Sequence, residues 1–85
     1  MMNVVLTRGA QKQIDDLPRV IQAGIYAALV KLQDWPKVSG AKPLRGALAG
    51  YYRIRTGDYR MQFRVEEARI LIVVVIVGHR DGFYE

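Results

Sequence analysis

The chain has 85 residues, 51% hydrophobic and 25% charged, so we expect one globular domain over residues 1–85 and not a disordered tail. It has no cysteine and one histidine, which excludes disulfides and thiolate chemistry and argues against a bound metal or cofactor. Its 13 lysines and arginines outnumber 8 acidic residues, and the net charge of +5 favours polyanionic partners. No lysine follows Leu44, and the permanently charged cations from there onward are all arginines. Arginine is the side chain suited to forked contacts with phosphate.

The first part of the chain predicts a short strand followed by a helical hairpin. Residues 3–6 form an apolar strand, and Thr7 can cap a helix whose apolar positions recur at helical spacing: Ala10, Ile14 and Leu17. Pro18 suits the first position of a second helix, which ends before Pro36 because proline disfavours helical geometry in the preceding residue. The second helix carries one apolar stripe: Ile21, Ile25, Ala28, Leu29 and Leu32.

The segment 37–49 carries glycines, a proline and no periodic pattern, which predicts a connecting loop held to the core by Leu44 and Leu48. Residues 51–56 and 59–66 then read as two strands around Gly57-Asp58, a two-residue turn with glycine first, as type II′ hairpins prefer. The predicted class is α+β, with the order β-α-α-β-β-β and a mainly antiparallel sheet. The pairing of the first strand stays open.

A third strand over residues 69–77 contains the longest apolar run, which is too short for a membrane-spanning helix, so we expect no membrane partner. Strict alternation places one set of side chains toward the helices: Ile70, Ile72, Val74 and Ile76. The alternate set lies on the opposite side: Leu71, Val73 and Val75.

The two-residue turn predicts a hairpin register that separates apolar from basic side chains. On one face Ile54 lies opposite Met61, and Tyr52 lies opposite Phe63. The other face has three cross-strand pairs: Arg55 with Arg60, Arg53 with Gln62, and Tyr51 with Arg64. A slip of one residue would mix the two faces, so the consistency of this sorting supports the register.

The predicted pair Arg55 and Arg60 has two interpretations. Like charges directly opposite each other destabilise a sheet by roughly 0.2–1 kcal/mol. The face is therefore either a solvated surface with its side chains apart, or a site where the phosphates of a ligand supply the counter-charge. His79 can act as a general base or serve a structural role at the strand end. The acidic residues are interpreted as solvated or turn positions: Asp15, Asp16, Glu66 and Glu67.

Several segments together resemble the RelE/ParE toxin superfamily of bacterial type II toxin–antitoxin systems. They are KPLRG at 42–46, YYRIR at 51–55, GDYR at 57–60, VGHR at 77–80 and Tyr84. The resemblance implies a cytoplasmic, metal-independent endoribonuclease that cuts messenger RNA in the ribosomal A site and is inhibited by a cognate antitoxin. In that reaction a ribose 2′-hydroxyl attacks the adjacent phosphate, leaving a 2′,3′-cyclic phosphate and a 5′-hydroxyl.

The resemblance also implies roles for individual residues. Arg60 stabilises the transition state, Arg80 acts as general acid, and Tyr84 stacks on and orients the substrate. Arg53 and Arg55 stand where RelE has lysines, and because arginine does not release its proton they are better phosphate clamps than general bases.

Arg64 is assigned to the same phosphate-binding group as those two arginines. The general base stays open between Tyr84, His79 and a mainly electrostatic mechanism. Two rivals remain: a ParE-like inhibitor of DNA gyrase, and a non-catalytic module that binds RNA or its antitoxin.

Overall fold

The computed structural model describes residues 1–79, so the predicted site residues Arg80 and Tyr84 lie outside the described residues. The helices are α1 (Arg8–Asp15) and α2 (Arg19–Leu32). The strands are β1 (Asn3–Leu6), β2 (Lys42–Pro43), β3 (Tyr51–Thr56), β4 (Tyr59–Glu66) and β5 (Leu71–His79). This order confirms the α+β class and adds one strand, β2, to the predicted set.

The strands form one sheet in the order β1-β5-β4-β3-β2. β1 runs parallel to β5, which answers the question that the sequence left open, and the other neighbours are antiparallel. The prediction that segment 37–49 is only a loop is wrong, because Lys42 pairs with Arg53 and Pro43 with Tyr52. A two-residue strand is too short to show the alternation by which strands are recognised.

The helical hairpin forms as predicted, except that α1 ends at Asp15 and Leu17 packs against the core from the connection that follows. The Thr7 hydroxyl accepts a hydrogen bond from the Ala10 N–H at 3.1 Å, which confirms Thr7 as the cap of α1. Pro18 precedes the first residue of α2 by one position, so it is the cap and not the first helical residue. Among residues 1–79, no helix is long and apolar enough to cross a membrane.

The core lies between the helices and one face of the sheet. Its largest fully buried side chains come from both layers: Ile14, Ile25, Leu32, Met61, Phe63, Ile72, Val74 and Val77. Trp35, just after α2, packs edge-on against Tyr52 and Phe63, with ring centroids 4.7 and 5.5 Å away.

The connection between α2 and β3 reaches the core through other residues than predicted. Val38 and Ala41 pack against the core cluster. Leu44 and Leu48 are not part of it, and Leu48 is 36% exposed, so the prediction that these leucines hold the loop to the core is wrong. Both instead line a surface cleft.

A β-bulge in β5 changes which side chains enter the core. Two adjacent residues of β4 pair with Val74 and Ile76, so Val75 is an extra residue. Val77 is therefore buried at 2% exposure while Ile76 is 38% exposed, and the predicted inward position of Ile76 is wrong. Ile70 is also outward, at 53% exposure, because it has a left-handed conformation in the turn before β5.

Candidate functional site

The sheet surface opposite the helices, here called the arginine face, carries Arg53, Arg55, Arg60 and Arg64. The observed β3–β4 register confirms the predicted one at every pair, including Arg55 opposite Arg60 and Tyr51 opposite Arg64. Of the alternate residues of the same two strands, Ile54, Met61 and Phe63 are buried in the core, and Tyr52, Tyr59 and Val65 pack against it. Because side chains alternate along a strand, the arginines must lie on the outer surface.

The turn at Gly57-Asp58 sets the spacing of Arg55 and Arg60. Gly57 has φ of +58°, the conformation that the first central residue of a type II′ turn requires. With Thr56 and Tyr59 closing the turn as a hydrogen-bonded pair, the next pair is non-hydrogen-bonded, with Cα atoms about 4.5 Å apart. Arg55 is exposed and Arg60 half-buried, with its Nε buried. Two fixed positive charges therefore lie side by side near the hairpin end of the face.

The neighbouring row extends the positive charge to the edge of the sheet. Lys42 pairs with Arg53, Arg53 with Gln62, and Gln62 with Ile76. The sequence interpretation assigned Lys42 no role, although the KPLRG segment that carries the family resemblance contains it. Its position on the arginine face depends on β2.

Arg64 lies at the far end of the face, next to a carboxylate. Its Nε donates to Glu66 Oε2 at 3.0 Å, and Arg69 Nη1 donates to Glu66 Oε1 at 3.1 Å. The hydrogen bond from Arg64 is the main reason that the pKa of Glu66 lies below its ordinary value, and the bond from Arg69 adds to the effect. The pKa of Arg64 is raised, chiefly by its hydrogen bond to Glu66.

Glu66, interpreted from the sequence as a solvated or turn residue, does lie where β4 meets the following turn, and its carboxylate also gives Arg64 a counter-charge within the protein. The sequence signal for this pair was the i, i+2 spacing, which places both side chains on the same face of β4. The phosphate-binding role of Arg64 stays a prediction.

His79 lies at the end of β5 and is not placed among the arginines. It pairs with Tyr59, and the two rings meet edge-on with centroids 5.3 Å apart. Tyr59 packs against the core cluster, so the ring of His79 lies on the helix side of the sheet. The structure thus brings together Arg53, Arg55 and Arg60, and directs His79 elsewhere.

The fold defines the class of the protein. A chain of the RelBE2 toxin–antitoxin complex from Mycobacterium tuberculosis superposes with a TM-score of 0.82, covering 93% of this chain and 98% of that chain at 29% sequence identity. The isolated Escherichia coli RelE toxin superposes with a TM-score of 0.78, covering 93% of this chain and 84% of that one. At 22% identity this second likeness shows the fold alone. The architecture is that of RelE-type toxins.

Sequence comparison gives the family. Residues 4–82 match the family described as the ParE toxin of type II toxin–antitoxin systems. Toxin RelG of M. tuberculosis is 34% identical over 82 residues, 95% of this chain and 93% of the relative. The chain therefore belongs to the ParE toxin family, within the RelE/ParE superfamily, which confirms the resemblance inferred from its sequence.

Proposed function

We propose that this protein is a toxin that cuts messenger RNA on the ribosome, in the cytoplasm where translation takes place. The observation that carries the proposal is the Arg55–Arg60 pair, held side by side by a two-residue turn and continued by Arg53 and Lys42. Two cations directly opposite each other in a sheet repel. An RNA phosphate between them converts the repulsion into charge-assisted hydrogen bonds.

The reaction needs no nucleophile from the protein. The substrate's 2′-oxygen bonds to the adjacent phosphorus, its proton passes to a general base, and the bond from phosphorus to the 5′-oxygen breaks. An acid protonates that oxygen, leaving a 2′,3′-cyclic phosphate and a 5′-hydroxyl. Negative charge accumulates on the phosphorane, where permanent cations fixed in advance stabilise the transition state.

Arg60 is assigned to the phosphorane because it is half-buried, whereas the exposed Arg55 and its neighbour Arg53 hold the flanking phosphates. The family resemblance assigns the leaving 5′-oxygen to Arg80 and substrate stacking to Tyr84. Because arginine keeps its proton, Arg80 stabilises that oxygen by a charge-assisted hydrogen bond, and the proton itself comes from water. Arginine does not release its proton at neutral pH, and the ring of His79 lies against Tyr59. These facts favour Tyr84 over His79 as general base, with electrostatic stabilisation as the main contribution of the face.

The proposed protein partner is a cognate antitoxin. The structural relatives include RelBE2 of M. tuberculosis and RelBE of E. coli, both toxin–antitoxin complexes. A segment that covers the arginine face of this chain must neutralise it, so we expect the antitoxin to be acidic where it meets Arg53, Arg55 and Arg60.

The decisive experiment adds purified protein to translating ribosomes and maps messenger ends by primer extension. The wild type should produce cuts in the A-site codon, and Arg60→Ala should lower the cleavage rate by roughly a hundredfold or more, as expected for loss of transition-state charge stabilisation. Arg8→Ala, in the first turn of α1, is the matched control and should cut like the wild type. Intact messenger with wild-type protein would refute the nuclease proposal.

The family description, which names ParE, favours a second candidate, inhibition of DNA gyrase. A supercoiling assay with the same three proteins separates the two. Inhibition of supercoiling without messenger cleavage would replace the nuclease by a gyrase poison. Binding of RNA or antitoxin without either activity would instead identify a non-catalytic module.

A further inference from the structure

A surface cleft of about 470 Å³ opens where the arginine face meets strand β2. Its charged lining consists of Lys42, Arg45 and Arg53, and its apolar lining includes Leu44 and Leu48. Of the residues 1–79 that line it, every charged one is a cation. The cleft thus combines an apolar surface with positive charge, and the roles assigned above use neither its leucines nor Arg45.

Backbone hydrogen bonds hold the two leucines in place. The Leu44 N–H donates to the Tyr51 carbonyl at 2.9 Å, so pairing with β3 continues one residue beyond β2. Two residues after Lys42, Leu44 therefore lies on the arginine face. The Leu48 N–H donates to the Arg45 carbonyl at 3.2 Å and closes a turn over residues 45–48, in which Gly46 has φ of +66°.

The two leucines leave apolar surface that a partner can cover. Leu48 is 36% exposed, and burial of its apolar surface against a partner is favourable. A nucleobase offers a flat, weakly polar surface that stacks on side chains, and its phosphate is an anion suited to an arginine fork. Arg53 lines the cleft and also lies beside Arg55 on the arginine face. One RNA strand can therefore contact the cleft and the arginine face at the same time.

We infer that this cleft binds one unpaired nucleotide of the RNA, next to the nucleotide that is cut on the arginine face. Its nucleobase packs on Leu44 and Leu48, and its phosphate contacts Arg45 and Arg53. The identity of the polymer rests on the proposed function. The cleft thereby holds the strand in register with Arg55 and Arg60.

The test is a double-mutant cycle between the protein and a short single-stranded RNA. The RNA carries 2′-O-methyl groups, which prevent cutting, and one abasic position is moved along it. Fluorescence anisotropy should show that the wild type loses about three- to tenfold in affinity at one abasic position. Leu48→Ala should lose a similar factor with intact RNA and no further affinity with that abasic RNA, because the two changes remove the same contact.

The phosphate contact has its own readout. Arg45→Ala should lower the slope of log affinity against log salt by about 0.7, the value for one phosphate contact in single-stranded nucleic acid. The matched control is Arg19→Ala, at the start of α2, which should leave the slope unchanged. Leu48→Asn, which keeps the branched shape and the number of heavy atoms, is the second variant if truncation affects folding, and thermal melts check each protein.

Three results would overturn the inference. Additive losses in the cycle at every abasic position would show that no nucleobase contacts the leucines. Wild-type affinity in both Leu48 variants would show the same. Loss of antitoxin binding with RNA affinity unchanged would assign the cleft to the antitoxin. Messenger cleavage by the wild type is measured separately, so failure of the cleft and failure of the nuclease proposal are distinguishable.

Discussion

Arg55 and Arg60 illustrate, at the scale of single residues, a conflict between stability and binding. Their Cα atoms are held about 4.5 Å apart by the hairpin register, and the cross-strand repulsion between two cations costs roughly 0.2–1 kcal/mol. Replacing one arginine by an acid should turn that repulsion into attraction and should also remove a phosphate contact.

We therefore predict that Arg55→Glu raises the stability of the isolated toxin while abolishing messenger cleavage. A gain of about 1 kcal/mol corresponds to a rise in melting temperature of about 4–8 °C for a domain of this size. Calorimetry and primer extension on the same preparation measure both effects. Lys37→Glu, in the exposed connection after α2, is the control for charge reversal alone. A destabilised Arg55→Glu protein would show that the pair does not repel.

Glu66 makes the opposite contribution, because it attracts Arg64 and Arg69 within the folded protein. Its pKa is lowered on folding, chiefly by the hydrogen bond from Arg64. A group whose pKa is depressed in the folded state contributes stability above its unfolded pKa and loses that contribution as the pH falls through the folded value. The relevant window thus begins near pH 4.3, the ordinary pKa of glutamate, and extends downward.

We predict that Glu66→Gln is less stable than the wild type at pH 6 and that the difference shrinks as the pH falls below about 4.3. Urea unfolding at a series of pH values between these conditions measures it. Glu67→Gln, at the start of the exposed turn that follows β4, should track the wild type throughout. A difference that stays constant with pH would mean that the Glu66 carboxylate does not stabilise the fold by ion pairing.

Among the elements, the β3–β4 hairpin was the most predictable, and the reason is local. Both strands alternate apolar and basic residues, and the two-residue turn at Gly57-Asp58 allows one register that keeps the faces separate. The arginine face followed from it directly. The helices were equally accessible because their apolar stripes span several turns.

The missed features depend on contacts between segments distant in sequence. The bulge at Val75 is invisible in an unbroken run of β-branched residues, because Ile76 and Val77 are equally apolar. Strand β2 and the surface cleft lined by Leu44 and Leu48 form only when Lys42 pairs with Arg53. The i, i+2 spacing of Arg64 and Glu66 predicts that their side chains lie on the same face of β4. It does not predict whether they form an ion pair or are solvated separately.

The turn assignment can be tested with two glycines, one with a positive φ and one in helical geometry. Gly57 has φ of +58°, and a side chain there is strained even though the space around it is open. Gly57→Ala should therefore destabilise the protein by about 1–2 kcal/mol. Gly9, inside α1, also has open space, but in helical geometry, so Gly9→Ala should stabilise it by up to about 1 kcal/mol. Urea unfolding of both variants provides the comparison, and equal signs would contradict the turn assignment.

At the scale of the whole molecule, the sheet separates two chemistries. One face is buried against α1 and α2, and the other presents cations along three neighbouring strands. The net charge of that second face changes from one end to the other. At the hairpin end the side chain of Arg55 is exposed to solvent, whereas at the far end Glu66 binds Arg64. RNA should therefore draw its phosphate contacts from the hairpin end.

This gradient predicts unequal salt dependence for substitutions that remove the same charge. Because each phosphate contact with a single strand contributes about 0.7 to the slope of log affinity against log salt, Arg55→Gln should lower the slope by about that amount. Arg64→Gln should lower it by less, since the Arg64 guanidinium already binds Glu66 at 3.0 Å. Glu66→Gln should raise the slope by making Arg64 available to phosphate.

Anisotropy titrations with one short, uncleavable RNA at several salt concentrations provide these slopes, with Arg8→Gln on α1 as the control away from the sheet surface. If Arg64→Gln and Arg55→Gln lower the slope equally, then phosphate displaces Glu66 from Arg64 and the whole arginine face binds RNA. The proposed gradient requires the two slopes to differ, with the larger loss at Arg55.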